Sequence, residues 1–313
     1  MVVAQNRKPR KSPRGEHFRA RSKIGGRGRA QRSLDLIDAM YDIAMRAEPI
    51  SGRAIGYKLF SANLIPSMAA KIMNGTVYRL LKQAREEGTI PWEWIVDETR
   101  QLEKISSWVN PAAYMRAVAR SYRRDFWQQQ PVRIEIWSEK GTVRGVLQPV
   151  LDEYGVGFRV LHGFGSATVL NEVSQDDDGR PLIILYVGDF DPSGMCMSER
   201  DIPERLARYG GDHITIKRIA LLRSDCTLLG RRPAFNVSER KKDPRAPWFR
   251  KTYGQLCWEL DAMDPNDLRS RVEQEIKKHI EPVAWERCRV VDTAERESMR
   301  QFLDTWNGGT DAR

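Results

Sequence analysis

The sequence predicts an α/β protein with a mostly parallel sheet, a small helical module before it and a helical extension after it. From residue 132 onward, strand-like runs alternate with helix-like ones, the signature of parallel strands joined by crossover helices. One run, Leu182 to Val187, is apolar throughout, as a strand covered on both faces must be. Before residue 106 the apolar spacing is helical instead.

In the N-terminal module the first helix carries Leu34, Ile37, Met40, Tyr41, Ala44 and Met45 at helical spacing and ends before Pro49. Ser51, a good N-cap, opens the second helix. The third, Val77 to Glu87, sets Val77, Leu80, Leu81 and Ala84 on one face and stops at Gly88, which tolerates the left-handed conformation of a helix end. Thr89 to Val96 then reads as extended. Three short helices followed by a β segment fit a winged-helix (CAP-like) DNA-binding domain over residues 33–105; a helical docking bundle is the plainer alternative. Residues 111–128 read as a basic helix within a connector, 106–131, that closes at Pro131.

Beyond the connector the period becomes two. Val132, Ile134 and Ile136 alternate with Arg133, Glu135 and Trp137 in a first strand. Thr142 to Tyr154 is helical, and Pro149 is expected to kink or split it. Phe158 to Leu161 is the second strand, Ala167 to Val173 a short helix and Leu182 to Val187 the third strand. A helix from Met195 to Tyr209 and a strand from Ile214 to Leu222 complete a Rossmann-like domain over 132–222. In residues 223–313 a long polar loop, Arg223 to Tyr253, precedes helices. One starts at Asp264-Pro265, with Asp264 as cap, and presents Leu268, Val272, Ile276 and Ile280 as a stripe for a core or an interface.

At 313 residues, 41% hydrophobic and 30% charged, the chain has material for two compact domains, which excludes a disordered or fibrous class. No run approaches the roughly 20 apolar residues of a bilayer crossing. The first residues lack the apolar block of a secretory signal, so the expected location is the cytoplasm, at the nucleoid, with no membrane partner. Cys196, Cys226, Cys257 and Cys288 form no C-x-x-C pair, so they encode neither a zinc cage nor a disulfide framework and are expected to be reduced. The charge is concentrated: residues 1–32 hold eleven Lys or Arg and one acid, Glu16, and the 52 basic and 42 acidic residues of the whole chain leave 41 of each sign for the rest. This stretch has too little apolar surface to fold alone and reads as a disordered basic tail. A flexible cationic arm suits phosphate backbones, so double-stranded DNA is the expected partner.

No G-x-x-x-x-G-K-[ST] phosphate loop is present, which removes the corresponding ATPase class. Parallel sheets bind ligands at the carboxyl ends of their strands. Two predicted strand ends are acidic: Ser138-Glu139-Lys140-Gly141 and Gly188-Asp189-Phe190-Asp191-Pro192-Ser193-Gly194. Side chains two apart on an extended segment point the same way, so Asp189 and Asp191 aim at one place, which Glu139 reaches from another strand end. Three carboxylates meeting in a partly dry site repel one another unless a cation lies between them. Oxygen donors without His or Cys, beside glycines that admit a phosphate, point to Mg²⁺ or Mn²⁺. A D-x-D alone is weak, since acids routinely end strands and cap helices; Glu139 at a second strand end strengthens it. Haloacid-dehalogenase-type phosphatases also use D-x-D, but after the first strand of their domain, whereas here it follows the third.

The order strand-Glu139-Lys140, then a strand with His162-Gly163-Phe164-Gly165-Ser166, then strand-Asp189-x-Asp191-Pro192-x-Gly194 resembles the Toprim domain shared by topoisomerases, primases and several nucleases. Preceded by a winged-helix domain, it resembles the A subunit of topoisomerase VI and its meiotic double-strand-break relative. That family carries R-x-[IL]-[YF]-Y on a winged-helix helix, its last Tyr being the nucleophile; here the run is Arg53-Ala54-Ile55-Gly56-Tyr57, with Gly56 in place of an aromatic. The run from Ala84 to Trp92, Asp97-Glu98-Thr99-Arg100, and Glu259-Leu260-Asp261-Ala262-Met263 are similar to a compact bacterial and phage branch of these proteins. The resemblance covers roughly residues 35–285. It implies a type IIB, A-subunit-like topoisomerase activity: Glu139, Asp189 and Asp191 hold the ion, Tyr57 attacks the phosphate and stays on the DNA 5′ end, and Arg53 favours the phenolate. It further implies a homodimer, in which the Tyr of one protomer meets the acids of the other, and a separate GHKL-type ATPase B subunit. On the residues alone any of nine tyrosines is open as nucleophile, Tyr57 is by default a packed side chain, and Tyr41 and Tyr78 have core-like spacing.

Two further classes stay open. The same metal site can activate water with Tyr57 merely structural, as in Toprim nucleases of plasmid defence, which the chain also resembles; or the chain is a non-catalytic DNA-binding regulator. The DNA-contact candidates are Lys140, otherwise a solvated turn residue, and Arg231, Arg232, Lys242 and Arg245. The last four lie in the polar loop, where basic residues interleave with Phe235, Trp248 and Phe249; a solvated connector is the alternative. Glu259 and Asp261 form either an outer shell to the ion or part of a solvent-facing helix, the latter being the simpler expectation.

Overall fold

The computed structural model describes residues 31–96, 107–161, 167–239 and 243–310. Residues 1–30 of the basic tail, Asp97 to Arg100, the His162 to Ser166 run and Lys241-Lys242 lie outside the described residues.

Helix α1 (Gln31–Ala47) takes in the last two residues of the predicted tail and buries Leu36, Ile37, Met40 and Ala44. After β1 (Ile50–Ser51), α2 (Gly52–Ser61) starts where expected, with the Ser51 hydroxyl accepting from the Ala54 N–H at 3.0 Å. A short α3 (Ala70–Ile72) runs through a π-helical turn, Met73–Tyr78, into α4 (Arg79–Glu86), and Gly88 follows at φ 73°. These elements close on a core of their own, with Ile37, Met40, Ile55, Leu59, Val77 and Leu80 inside it. The segment after Gly88 is extended only at its end. Pro91, which has no N–H for a ladder, leads into a 3-10 turn at Trp92–Trp94, and only β2 (Ile95–Val96) pairs, parallel to β1.

The connecting helix α5 (Pro111–Ser121) is capped by Asn110, which accepts from the Ala113 N–H at 2.8 Å. It stops short of the expected residue 128 because tertiary bonds take over: the Tyr122 hydroxyl and Arg124 both reach Glu295 on the last helix, at 2.5 and 2.6 Å.

The sheet is built from β3 (Arg133–Ser138), β4 (Gly157–Val160), β5 (Leu182–Val187) and β6 (Ile214–Ala220), all parallel, in the spatial order β4-β3-β5-β6. Their connections are α6 (Gly141–Tyr154), α7 (Ala167–Gln175), and α8 (Pro192–Cys196) with α9 (Ile202–Arg208). The chain moves outward from β3 to β4 and then returns past β3 to β5, so the direction reverses between β3 and β5. On β5, Leu182, Ile184 and Tyr186 pack with Leu170 and Val173 of α7 and Leu206 of α9. Leu185 and Val187 face the other way, into a core with Leu147 and Val150 of α6. Covering on both faces explains the uninterrupted apolar run. Pro149 does not split α6: it lies on the exposed side, and the Val146, Leu147, Val150 and Leu151 face holds the helix against the sheet.

The described residues of the expected loop from Arg223 to Tyr253 form regular elements. They include α10 (Arg223–Leu229), β7 (Phe235–Asn236) and α11 (Ala246–Tyr253), and β7 pairs antiparallel with β8 (Leu256–Cys257). Its aromatics are structural: Phe249 is fully buried and meets Phe190 edge-on at 5.7 Å, while Arg200 covers Trp248. Burying these rings outweighs the polarity of their neighbours. Helix α12 (Pro265–Lys277) begins at Asp264, which accepts from the Asn266 N–H at 2.9 Å, and buries Leu268, Val272 and Ile276 against the sheet core. The final helix is α13 (Pro282–Thr310). The four cysteines form no disulfide with one another. Among the described residues no helix is long and apolar enough to cross a membrane.

Candidate functional site at the reversal of the sheet

Glu139 and Lys140 follow the carboxyl end of β3, and Asp189 and Asp191 follow that of β5, so the acidic strand ends flank the reversal of strand order where α/β sheets bind ligands. Asp191 caps α8 by accepting from the Gly194 N–H at 2.8 Å. A Cβ on Gly194 would lie 2.4 Å from the Asp189 carbonyl oxygen, so only glycine lets this turn close. Asp189 and Asp191 are 3% and 4% exposed. Together with Glu139 they line one cleft of about 1090 Å³, whose opposite wall is formed by the N-terminal module through Ser51, Gly52, Arg53, Tyr78, Lys82, Arg85 and Trp92.

Burial, reinforced by the charges of Asp189 and Asp191, pushes the Glu139 carboxyl up to about 7. The sign of its effect on stability is the reverse of the usual acid. The folded protein keeps this proton where the unfolded chain, with an ordinary value of 4.5, has lost it. Stability is therefore lost as pH rises from the unfolded value toward the folded one. In chelator, the melting temperature of the parent should fall between pH 5 and pH 8 by more than that of Glu139→Gln; equal slopes would contradict the repulsion.

Lys140 lines the same cleft, and its ammonium is engaged by carboxylates. Its Nζ stands 2.8 Å from Asp189, 3.1 Å from Asp261 and 3.8 Å from Glu259. Burial alone would lower its pKa, but the three carboxylates outweigh burial and raise it. Glu259 and Asp261 do not lie on a solvent-facing helix. They sit at the 3-10 turn Leu260–Ala262, where Glu259 is 8% exposed and takes both arms of the Arg53 guanidinium, and Asp261 accepts from the Ser51 hydroxyl at 2.6 Å. Burial would raise the Asp261 carboxyl, yet Lys140 and Ser51 hold it below its ordinary range. The start of α2 and the 259–261 turn are thereby joined at the edge of the cleft.

The donors at the reversal are oxygens only, a chemistry that fits a hard divalent ion. Among the described residues no three His, Cys, Asp or Glu side chains stand together in a metal-holding arrangement. Lys140 is the cation that balances Asp189 here, and Leu260 N–H donates to the same Asp189 oxygen at 2.8 Å.

Tyr57 is 3% exposed and lines a neighbouring pocket of about 430 Å³, with Arg53, Phe60, Met68, Arg232 and Glu259, rather than the acidic cleft. Burial and then the Glu259 charge raise its phenol well above the ordinary 10, outweighing Arg53, whose guanidinium carbon lies 5.9 Å from the ring centre. Arg53 acts in favour of the phenolate but is outweighed in this arrangement, its Nε and Nη2 donating to Glu259. A Cβ on Gly56 would come within 2.4 Å of the Met73 methyl, the movable end of a flexible side chain. Tyr78, of core-like spacing, is the tyrosine that lines the acidic cleft.

The basic candidates do not converge. Arg232 stacks on Phe60 at 4.5 Å and donates to its carbonyl at 2.7 Å, Arg245 pairs with Asp243 at 2.6 Å, and Arg231 lines a separate cleft of about 570 Å³ with Tyr253 and Trp258. Lys242 lies outside the described residues. The charges on the cleft wall, Lys82 and Arg85, carried no sequence signal beyond a basic helix face. Arg218 had one: it shares the register of Ile214 and Ile216 on β6, an arginine where an apolar side chain is expected. It donates to the carbonyls of Gly188 (2.8 Å), Asp189, Gly194 (2.9 Å) and Leu221 (2.9 Å) and to the Ser198 hydroxyl (2.8 Å), pinning both sides of the Asp189–Asp191 turn.

Fold and site define an α/β protein with a Rossmann-like, four-stranded parallel sheet that carries a buried cluster of acids and a lysine at the reversal of strand order. Comparison with protein-family models, curated proteins and solved structures returns no match to this chain.

Proposed function

We propose that the chain is a metal-dependent DNA-cleaving protein, with a Toprim-type domain over 132–222 and a winged-helix DNA-binding domain over 33–105. One observation carries this: Glu139, Asp189 and Asp191 leave adjacent strand ends into a single cleft whose facing wall is basic, with Arg53, Lys82 and Arg85. A phosphodiester fits between such surfaces, its charge attracted to the wall while the acids hold Mg²⁺ or Mn²⁺. When bound, the ion would stabilise charge developing on the scissile phosphate. Lys140 stands beside Asp189 as its counter-charge, and Arg53 and Lys82 orient the strand.

In the topoisomerase VI A-like form of this proposal, Tyr57 Oη bonds to phosphorus, the 3′-oxygen leaves as a hydroxyl and the 5′ end stays on the protein. The partners of that form are a second protomer, a GHKL-type ATPase subunit and duplex DNA at the nucleoid. A specific observation favours the hydrolytic form as a second reading: Tyr57 is buried beside the Arg53–Glu259 pair and does not line the acidic cleft of its own chain.

Supercoiled plasmid incubated with Mn²⁺, then with detergent with or without protease, separates them. Transesterification gives a protease-sensitive protein–DNA adduct that Tyr57→Phe abolishes. Cutting with free ends that survives Tyr57→Phe assigns hydrolysis. Binding without metal-dependent cutting would leave only a DNA-binding regulator.

A further inference from the structure

The wall of the acidic cleft holds an aromatic side chain that the cleavage chemistry does not use. Trp92 is 55% exposed, although the 3-10 turn carrying it is anchored by Ile95, buried in the core of the N-terminal module, and by Trp94, which packs on Tyr41 with ring centres 5.5 Å apart. Its orientation is fixed from behind. The Arg85 guanidinium carbon lies 4.3 Å from the ring centre, and Arg85 also donates to the Trp92 carbonyl at 3.4 Å. Lys82, one turn earlier on α4, lines the same wall, its side chain 72% exposed and 3.6 Å from Glu86. The cleft thus offers a rigid π-surface flanked by cations, opposite buried carboxylates.

A large exposed ring normally costs solvation, and among the described residues Ile90 and Ile95 fill the adjacent core without it. A cation beside an aromatic face is the combination that binds a single strand, the cation taking the phosphate and the ring taking the base. A base inside an intact duplex has both faces covered by its neighbours, so it has none to give to Trp92; an unstacked base does.

We propose that Trp92, backed by Arg85 and flanked by Lys82, is a stacking platform for an unpaired base beside the phosphate held in the acidic cleft, so that the DNA engaged there is single-stranded or locally unpaired. This rests on the DNA-cleavage reading and narrows its substrate.

The test uses the full chain in chelator, where no cutting occurs, and an oligonucleotide with one 2-aminopurine, offered as a single strand and as a fully paired duplex. Anisotropy reads binding and 2-aminopurine emission reads stacking. The single strand should bind with quenched emission. Trp92→Ala should lose the quench and weaken single-strand binding about ten-fold, while Trp92→Phe keeps most of both and duplex binding is unchanged in either variant. Single-strand binding and quenching that survive Trp92→Ala overturn the platform and leave the cleavage reading standing. Absence of binding to both DNA forms by the parent protein overturns the cleavage reading and the platform with it.

Discussion

Asp189→Asn should leave the protein folded and reduce Mn²⁺-dependent plasmid cutting by about 10²-fold or more, the scale on which loss of one fixed electrostatic partner is felt in an active site. The asparagine oxygen can still accept from the Leu260 N–H, which Asp189 binds at 2.8 Å, so the junction between the β5 turn and the 259–261 turn keeps its backbone bond. What disappears is the charge facing Lys140 and any ion. A titration of Mn²⁺ against nicking rate, with a urea melt of the same preparation, checks both halves. Cutting at saturating ion within about three-fold of the parent would remove the acidic strand ends from the chemistry.

The second large effect is on the scaffold. Arg218→Lys should cost at least about 3 kcal/mol of stability, because a lysine has no planar fork and leaves buried carbonyls unpaired. Arg218 serves four backbone carbonyls and one hydroxyl around the Asp189–Asp191 turn, and it lies against Tyr186 with its guanidinium carbon 5.4 Å from the ring centre. Burial lowers its pKa below the ordinary guanidinium value, so its charge stands in a dry environment that these acceptors compensate. Urea unfolding at neutral pH reads the loss. A midpoint within error of the parent would mean that the carbonyls find other donors and that the turn is held by Asp191 and Gly194 alone.

The strands were legible because burial writes itself into local period: alternation in β3 marks a strand with two unlike faces, and the apolar run of β5 marks one covered on both. Caps were legible for the same local reason, Ser51 and Asp264 each bonding an N–H within three residues. Residues 223–253 were not, since Phe249 and Trp248 stand among charges and only their packing on Phe190 and under Arg200 distinguishes a folded unit from a loop. The partners of Lys140 were hidden on the same ground. A lysine after a strand looks solvated until Asp261, 121 residues later in the chain, is seen 3.1 Å from it.

By itself the sequence determined that a parallel sheet would form and that acids would stand at two of its strand ends, because side-chain alternation and strand order are short-range properties of the chain. Only the tertiary structure decided which charges meet those acids: Arg53 with Glu259 across 206 positions, Ser51 with Asp261 across 210, and Lys140 among three carboxylates. Such pairs depend on how the N-terminal module and the 259–261 turn close over the sheet, and local periodicity contains no term for that closure.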